Sequence, residues 1–307
     1  DHAANDTPEE AKLYKKPQPK NEAQFDLFAL GNNNPESEEI TANYYSNLTN
    51  TAHNYQIVQG NLGIKLLLQN LEKQSRVCID TETTSIDPLA AQLVGISFSW
   101  EKHSGFYIPF PENQTQAQEL IEQLRPFFEN ESIEKIGQNL KYDIKVLANY
   151  NLTIKGKLFD TMIAHYLINP DMRHNMDILS ETYLKYSPKS IEDLIGKKGK
   201  NQKSMREIPV EDVKEYAVED TDVTLQLQQY FEPILEQTST KKLFEEIEIP
   251  LVAVLADMER EGINLDVNFL KSLSNDLSND IQSFENKIYE IAGEKFNIAS
   301  PKQLAEI

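Results

Sequence analysis

The order of its apolar runs is what most restricts how this chain can fold. Four β-type runs come early, at Tyr55–Val58, Arg76–Glu82, Gln92–Trp100 and Gly105–Phe110, with one helical stretch over about 60–74 between the first two. A polar turn at Glu101–Ser104 joins the last two runs. From about 114 the pattern alternates: a helix to about 130, a short strand near Ile133–Ile136, a helix over about 139–150, and a short strand before Asp160. Mostly helical sequence follows to about 236. Strands first, then strands alternating with helices, predict an α/β fold built on a mixed sheet. Two long helices, roughly 243–261 and 266–292, extend beyond it and are joined at Glu261-Gly262-Ile263-Asn264.

Residues 1 to about 50 read differently. They hold nine acids, four bases and four prolines with almost no apolar periodicity, so they are expected to form a flexible linker. Within them, Gln24-Phe25-Asp26-Leu27-Phe28 is an isolated apolar cluster. The 307 residues suit about two domains. No apolar run reaches the roughly 20 residues of a membrane span, and the polar start lacks a secretory signal. The single cysteine, Cys78, excludes an internal disulfide and suits a reducing cytoplasm. A metal site would therefore use oxygen or histidine ligands, and the five histidines show no metal-ligand spacing. A net charge of −19 argues against binding nucleic acid by bulk electrostatics.

A few acids sit where acids are not expected. Asp80 and Glu82 end an apolar strand at i and i+2, so both side chains share one face. Asp143 lies on a helical stripe with Asn139, Val146, Leu147 and Tyr150. Asp220 lies on the stripe Val213, Ala217, Thr224, Leu227 and Phe231, with Tyr216 one turn earlier; Glu215, Glu219 and Asp222 fall off that stripe. Lys141 and Lys145 project elsewhere on their helix, and no Arg or Lys is expected alongside these acids. Unpaired carboxylates are expensive to bury, and convergence on a divalent metal resolves the cost; an oxygen ligand set suits Mg²⁺ or Mn²⁺.

Asp80-Thr81-Glu82-Thr83, Gly137-Gln138-Asn139-Leu140-Lys141-Tyr142-Asp143 and Tyr216-Ala217-Val218-Glu219-Asp220 together resemble the three motifs of the DEDD exonucleases, in their tyrosine branch. The nearer resemblance is to the proofreading domain of bacterial DNA polymerase I, supported by Phe159-Asp160-Thr161-Met162 and Gly199-Lys200-Asn201-Gln202. Glu259-Arg260-Glu261-Gly262-Ile263 and Ala292–Leu304 resemble the opening of a family A polymerase domain. The resemblance implies a ribonuclease H-like sheet flanked by helices, with a C-terminal helical segment. It divides the chain into a linker at 1–50, an exonuclease domain at 51–238 and truncated polymerase-domain helices at 239–307. The chain stops as Pro301–Leu304 opens a further helix, which reads as a fragment without polymerase motifs.

The implied chemistry is two-metal phosphodiester hydrolysis at a DNA 3′ end. Asp80, Glu82 and Asp220 are expected to hold one ion, Asp80 to bridge to the second, and Asp143 to support that second ion. Glu82 and Tyr216 are expected to orient the attacking water. Matching substrate positions are Ile86, Gln138, Asn139 and Tyr142, and Asn139 is also expected to be able to cap its helix. Arg173 with His174, and the basic run bearing Lys198 and Lys200, are candidates for phosphate contact. Gln24–Phe28 resembles the peptide by which bacterial replication proteins bind the sliding clamp. A monomer in the cytoplasm, associated with the nucleoid, is expected. A ribonuclease D-like RNA exonuclease and an inactive exonuclease-like scaffold are the competing readings.

Overall fold

The computed structural model describes residues 45–199 and 201–307. The Gln24–Phe28 peptide and Lys200 lie outside the described residues. Six strands form one sheet: β1 (Asn54–Ile57), β2 (Arg76–Thr83), β3 (Leu93–Glu101), β4 (Ser104–Pro109), β5 (Glu134–Gly137) and β6 (Leu158–Asp160). Their spatial order is β1-β4-β3-β2-β5-β6. The β4–β3 and β3–β2 pairs are antiparallel, whereas β1–β4, β2–β5 and β5–β6 are parallel. This is a ribonuclease H-like mixed sheet; of the expected early strands, β2, β3 and β4 form its antiparallel part, and β1 joins β4 in parallel.

The helices are α1 (Gly60–Leu71), α2 (Gln114–Phe128), α3 (Leu140–Ala148), α4 (Thr161–Ile168), α5 (Met176–Leu179), α6 (Ile191–Ile195) and α7 (Val210–Gln237). A short turn at Lys241–Leu243 and a π-helical turn at Phe244–Glu248 lead into α8 (Ile249–Glu261); α9 (Val267–Ala292) and α10 (Pro301–Leu304) follow. No helix among the described residues is long and apolar enough to cross a membrane.

Period-two alternation on β2 divides the interior into two layers. Val77 and Ile79 face a core with Leu67, Leu71, Ile121, Phe127, Phe128 and Val146, contributed by α1, α2 and α3. Cys78 faces the other side, with Ala164, Leu227 and Phe231 of α4 and α7. Burying each such large side chain is worth about 1.5–3 kcal/mol, so both faces of the sheet are held firmly. The long α7 crosses β2, β3 and β4. It sits close because β4 presents Gly105, where an added Cβ would come within 2.4 Å of Val218 Cγ1. At the other end of the chain α8 packs on α3, with Lys141 and Lys145 both paired to Glu259, whereas α9 buries no residue.

Two features of the sheet place the acids of β2. The parallel β2–β5 ladder ends at Cys78–Ile136, so Asp80 and Glu82 extend past that neighbour while still paired to β3. Ligands of α/β sheets collect at such carboxyl ends of parallel strands. In addition, Gly95 lies directly opposite Glu82, and its missing side chain leaves room for the Tyr107 side chain, whose hydroxyl an added Cβ would meet at 2.0 Å.

Candidate active site

β2 and α7 bring three carboxylates together. One oxygen each from Asp80, Glu82 and Asp220 lies within 4.8 Å of the others. Asp80 is half-buried; Glu82 and Asp220 are buried. Asp220 Oδ1 is shielded from solvent and has no hydrogen-bond partner. Burial raises the carboxyl pKa of all four candidate acids. Asp80 is pushed up to about 6, with the Thr81 N–H acting in opposition. Glu82 is raised further by burial and then by the charges of Asp80 and Asp143. Asp220 is raised by burial and then by Asp80, Glu82 and Glu219, with Tyr216 opposing. Carboxylates packed this densely, one of them with an oxygen left without a hydrogen bond, are what a hard divalent cation satisfies, and the all-carboxylate donor set suits that ion class.

Asp143 stands beside this group but not in it. It lies on α3, on the Thr81 side of β2, and Thr81 donates to Asp143 Oδ1 from its amide at 3.1 Å and its hydroxyl at 2.6 Å. Burial and the Asp80 charge raise its pKa, while the Thr81 bonds act in opposition. Thr81 is a contact to a candidate site residue that sequence reasoning missed. Its position between two acids on a strand was the only available signal.

The acids expected off the inward stripe of α7 require correction. Glu219 and Asp222 are as buried as Asp220, because α7 is covered by the sheet on one side and by α4 and the turn at Ser180–Leu184 on another. They differ in being satisfied. Glu219 accepts from Tyr186 Oη at 2.6 Å and from the Lys189 amide at 2.8 Å. Asp222 accepts from Tyr55 Oη at 2.7 Å, the His103 amide at 3.0 Å and Gln226 Nε2 at 2.8 Å. Burial alone therefore does not single out Asp220; an unanswered oxygen does.

Tyr216 shares the Asp220 side of α7. Burial, then the charges of Asp220, Glu82 and Asp80, drive its phenol far above the ordinary tyrosine range, so it remains an O–H donor.

Asn139 also departs from expectation. It occupies the N-cap position of α3 in the left-handed region, at φ 63°, exposed and without a side-chain cap. Asp160 does the capping instead. Its carboxylate accepts from Asn139 N at 3.2 Å and Leu140 N at 2.7 Å, and also from Met162 N at 2.9 Å at the start of α4. One buried carboxylate thus closes two helix N-termini, which fixes the turn carrying Gln138 and Asn139. Gln138 Nε2 donates to the His174 carbonyl at 2.7 Å. Tyr142 donates its hydroxyl to the Ser85 carbonyl and also meets Thr83 Oγ1, both at 2.5 Å. That contact steadies the loop bearing Ile86, which is 90 % exposed and packs on no core. Arg173 and Lys198 are exposed on loops, and no hydrogen bond or ion pair joins either to the carboxylate group. Arg206 spends its guanidinium on the carbonyls of Phe110, at 3.2 Å, and Leu93, at 2.5 Å.

A ribonuclease H-like sheet with a carboxylate trio at the end of β2 defines a nuclease-type site. Residues 55–236 match the family described as 3′-5′ exonuclease of the A-type DNA polymerases. The chain belongs to that family. It is 38 % identical over 263 residues to DNA polymerase I of Pseudomonas aeruginosa, a match covering 82 % of this chain and 29 % of that protein. It is 34 % identical over 256 residues to DNA polymerase I of Borreliella burgdorferi, covering 82 % of this chain and 28 % of that protein. The chain thus spans under a third of the length of these relatives. Among solved structures it shares its fold with the POL domain of Pol1 from M. smegmatis in complex with DNA primer-template and dNTP. That likeness has a TM-score of 0.65 at 21 % identity, over 81 % of this chain and 39 % of that one. Brucella melitensis NrnC has the same fold at a TM-score of 0.54 and 22 % identity, over 69 % of this chain and 94 % of that one.

Proposed function

We propose that residues 51–238 form a 3′→5′ exodeoxyribonuclease that removes nucleotides one at a time from single-stranded or frayed DNA 3′ ends, as in proofreading. The observation that carries this reading is the trio Asp80, Glu82 and Asp220 with its buried, unpartnered Asp220 Oδ1. These three would hold divalent metal, Mg²⁺ or Mn²⁺, and Asp143 would support a second ion next to Asp80. Bound there, the cations supply Lewis-acid stabilisation of the scissile phosphate and make water a better nucleophile.

The chain's own residues do the rest. Glu82 accepts a hydrogen bond from the attacking water, and the Tyr216 hydroxyl donates one to it, so that its lone pair is directed at phosphorus. The water oxygen bonds to phosphorus as the P–O3′ bond breaks, the proton that the water gives up is balanced by the one the 3′ oxygen takes up, and a nucleoside 5′-monophosphate leaves. Thr81 holds Asp143 in place, and Tyr107 beneath Gly95 supports the strand segment bearing Glu82. Ile86 would wedge against the terminal bases, and Gln138, Asn139 and Tyr142 would line the strand. Arg173, Lys198 and Lys200 would meet backbone phosphates. Contacts of this kind read base faces and phosphates rather than sequence.

Residues 239–307 would be the first helices of a polymerase domain, residues 1–50 a linker, and Gln24–Phe28 a sliding-clamp peptide on a monomeric cytoplasmic enzyme.

The test is digestion of a 3′-frayed DNA primer with Mg²⁺ or Mn²⁺, comparing the intact chain with Asp80→Ala and Asp220→Ala. Loss in both variants is expected. A folded but inactive parent would leave an inactive scaffold as the better description, and preference for RNA ends would favour an RNA exonuclease.

A further inference from the structure

The mechanism leaves one fully buried titratable group unused. His165 on α4 has no solvent exposure, and both of its ring nitrogens are engaged. Its Nδ1 lies 2.6 Å from His174 Nδ1, and its Nε2 lies 2.9 Å from Tyr183 Oη. The ring packs between His174, Tyr183 and Phe231, at centroid distances of 4.9, 5.3 and 5.4 Å. Burial, then the neighbouring His174, lower its pKa to about 4, so the imidazole is neutral near pH 7. An apolar side chain would fill this position at less desolvation cost, so the polar pair calls for an explanation.

His174 connects the pair to the strand-lining residues. It follows Arg173 in the segment between α4 and α5, and its carbonyl accepts from Gln138 Nε2 at 2.7 Å. The Gln138 side-chain oxygen in turn accepts from Thr161 Oγ1, which also donates to the Gly137 carbonyl at 3.2 Å. Hydrogen bonds to the ring of His174 on one side and to its main-chain carbonyl on the other therefore link Tyr183 and His165 to Gln138. The two Nδ1 atoms are bridged by a single proton, which gives the contact a defined geometry.

We infer that His165 is a positioning residue for substrate binding: through His174 it holds the Arg173 segment against Gln138, so that both contact the same DNA strand. This rests on the proposed exonuclease function for the identity of the strand. His165 touches no substrate and acts only through His174.

The experiment compares His165→Leu and His165→Asn with the parent in the full chain, using steady-state kinetics on single-stranded DNA and hydrogen exchange across residues 170–176. Leu removes the hydrogen bond, whereas the Asn amide can replace the Nδ1 contact. In His165→Leu, KM is expected to rise about 3- to 10-fold, the worth of one buried hydrogen bond, with kcat within about twofold. Amide exchange in 170–176 is expected to accelerate, and His165→Asn to restore both readouts. If His165→Leu does not fold, His174→Ala removes the same bond from its less buried side. Unchanged exchange and KM, or a fall in kcat at constant KM, would overturn the inference. A parent that degrades no DNA while 170–176 still loosens in His165→Leu would instead remove the exonuclease reading and leave the coupling between His165 and its loop standing.

Discussion

Glu219 and Asp220 are adjacent on α7 and both buried, yet they are opposites in hydrogen bonding. Glu219 receives Tyr186 Oη and the Lys189 amide, while Asp220 Oδ1 receives nothing. An unsatisfied buried acid destabilises a fold and persists where function needs it. Asp220→Asn is therefore expected to raise metal-free stability by about 1 kcal/mol while lowering exonuclease rate by more than about 100-fold. Thermal unfolding in EDTA beside a primer-digestion assay checks both; a destabilised variant would mean that the hydrogen bond from Tyr216 outweighs the cost of the unpartnered Oδ1.

Asp160 presents the contrary case, a buried acid with every donor it needs. It closes α3 and α4 together. Asp160→Ala should cost about 2–4 kcal/mol, the sum of two lost caps, read as a shift in urea midpoint. A loss under about 1 kcal/mol would show that one helix end finds water instead.

For Tyr216 the expectation concerns pH. Burial and the charges of Asp220, Glu82 and Asp80 hold the phenol protonated well beyond neutral pH. Tyr216→Phe should lower kcat about 10- to 100-fold with little change in KM, and should leave the alkaline side of the pH–rate profile unshifted. An alkaline limb that disappears in the Phe variant would assign the ionisation to Tyr216.

Ile86 tests the separation of fold from substrate handling. At 90 % exposure it contributes little to packing, so Ile86→Ala should leave unfolding within about 0.5 kcal/mol of the parent. Degradation of paired 3′ ends should fall a few-fold relative to single strands, since a wedge matters only where bases must separate. Equal rates on both substrates, in parent and variant alike, would dismiss the wedge.

His165 gives a pH signature in stability. Its folded pKa of about 4 lies below the unfolded value of about 6.5, so between these pH values the unfolded chain binds the extra proton. The associated stability is fully present above about pH 6.5 and is lost as pH falls toward 4. Denaturation midpoints of the parent should therefore decline more steeply across that window than those of His165→Asn. Parallel slopes would place a proton on His165 in the folded protein.

Much of this protein is legible in its sequence. The period-two runs before 110 and the strand–helix alternation after 114 determine a mixed sheet, because alternation and helical spacing reflect which face each residue must bury. Asp80 and Glu82 share a face for the same local reason, and the motifs around them identify the family. Corrections arise where facing depends on what covers an element rather than on its own period. A helix buried nearly all round has no outer stripe, so Glu219 and Asp222 could be separated from Asp220 only by their partners, most of which lie 30 or more positions away. Asn139 precedes α3 as a capping residue should, but the cap comes from Asp160, brought alongside by the β5–β6 pairing. The sequence alone thus determined which elements form and which acids are candidates. Tertiary structure decided which of those acids meet, which are already satisfied, and that Thr81 and His165 matter, because hydrogen-bond satisfaction depends on distant neighbours and not on spacing along the chain.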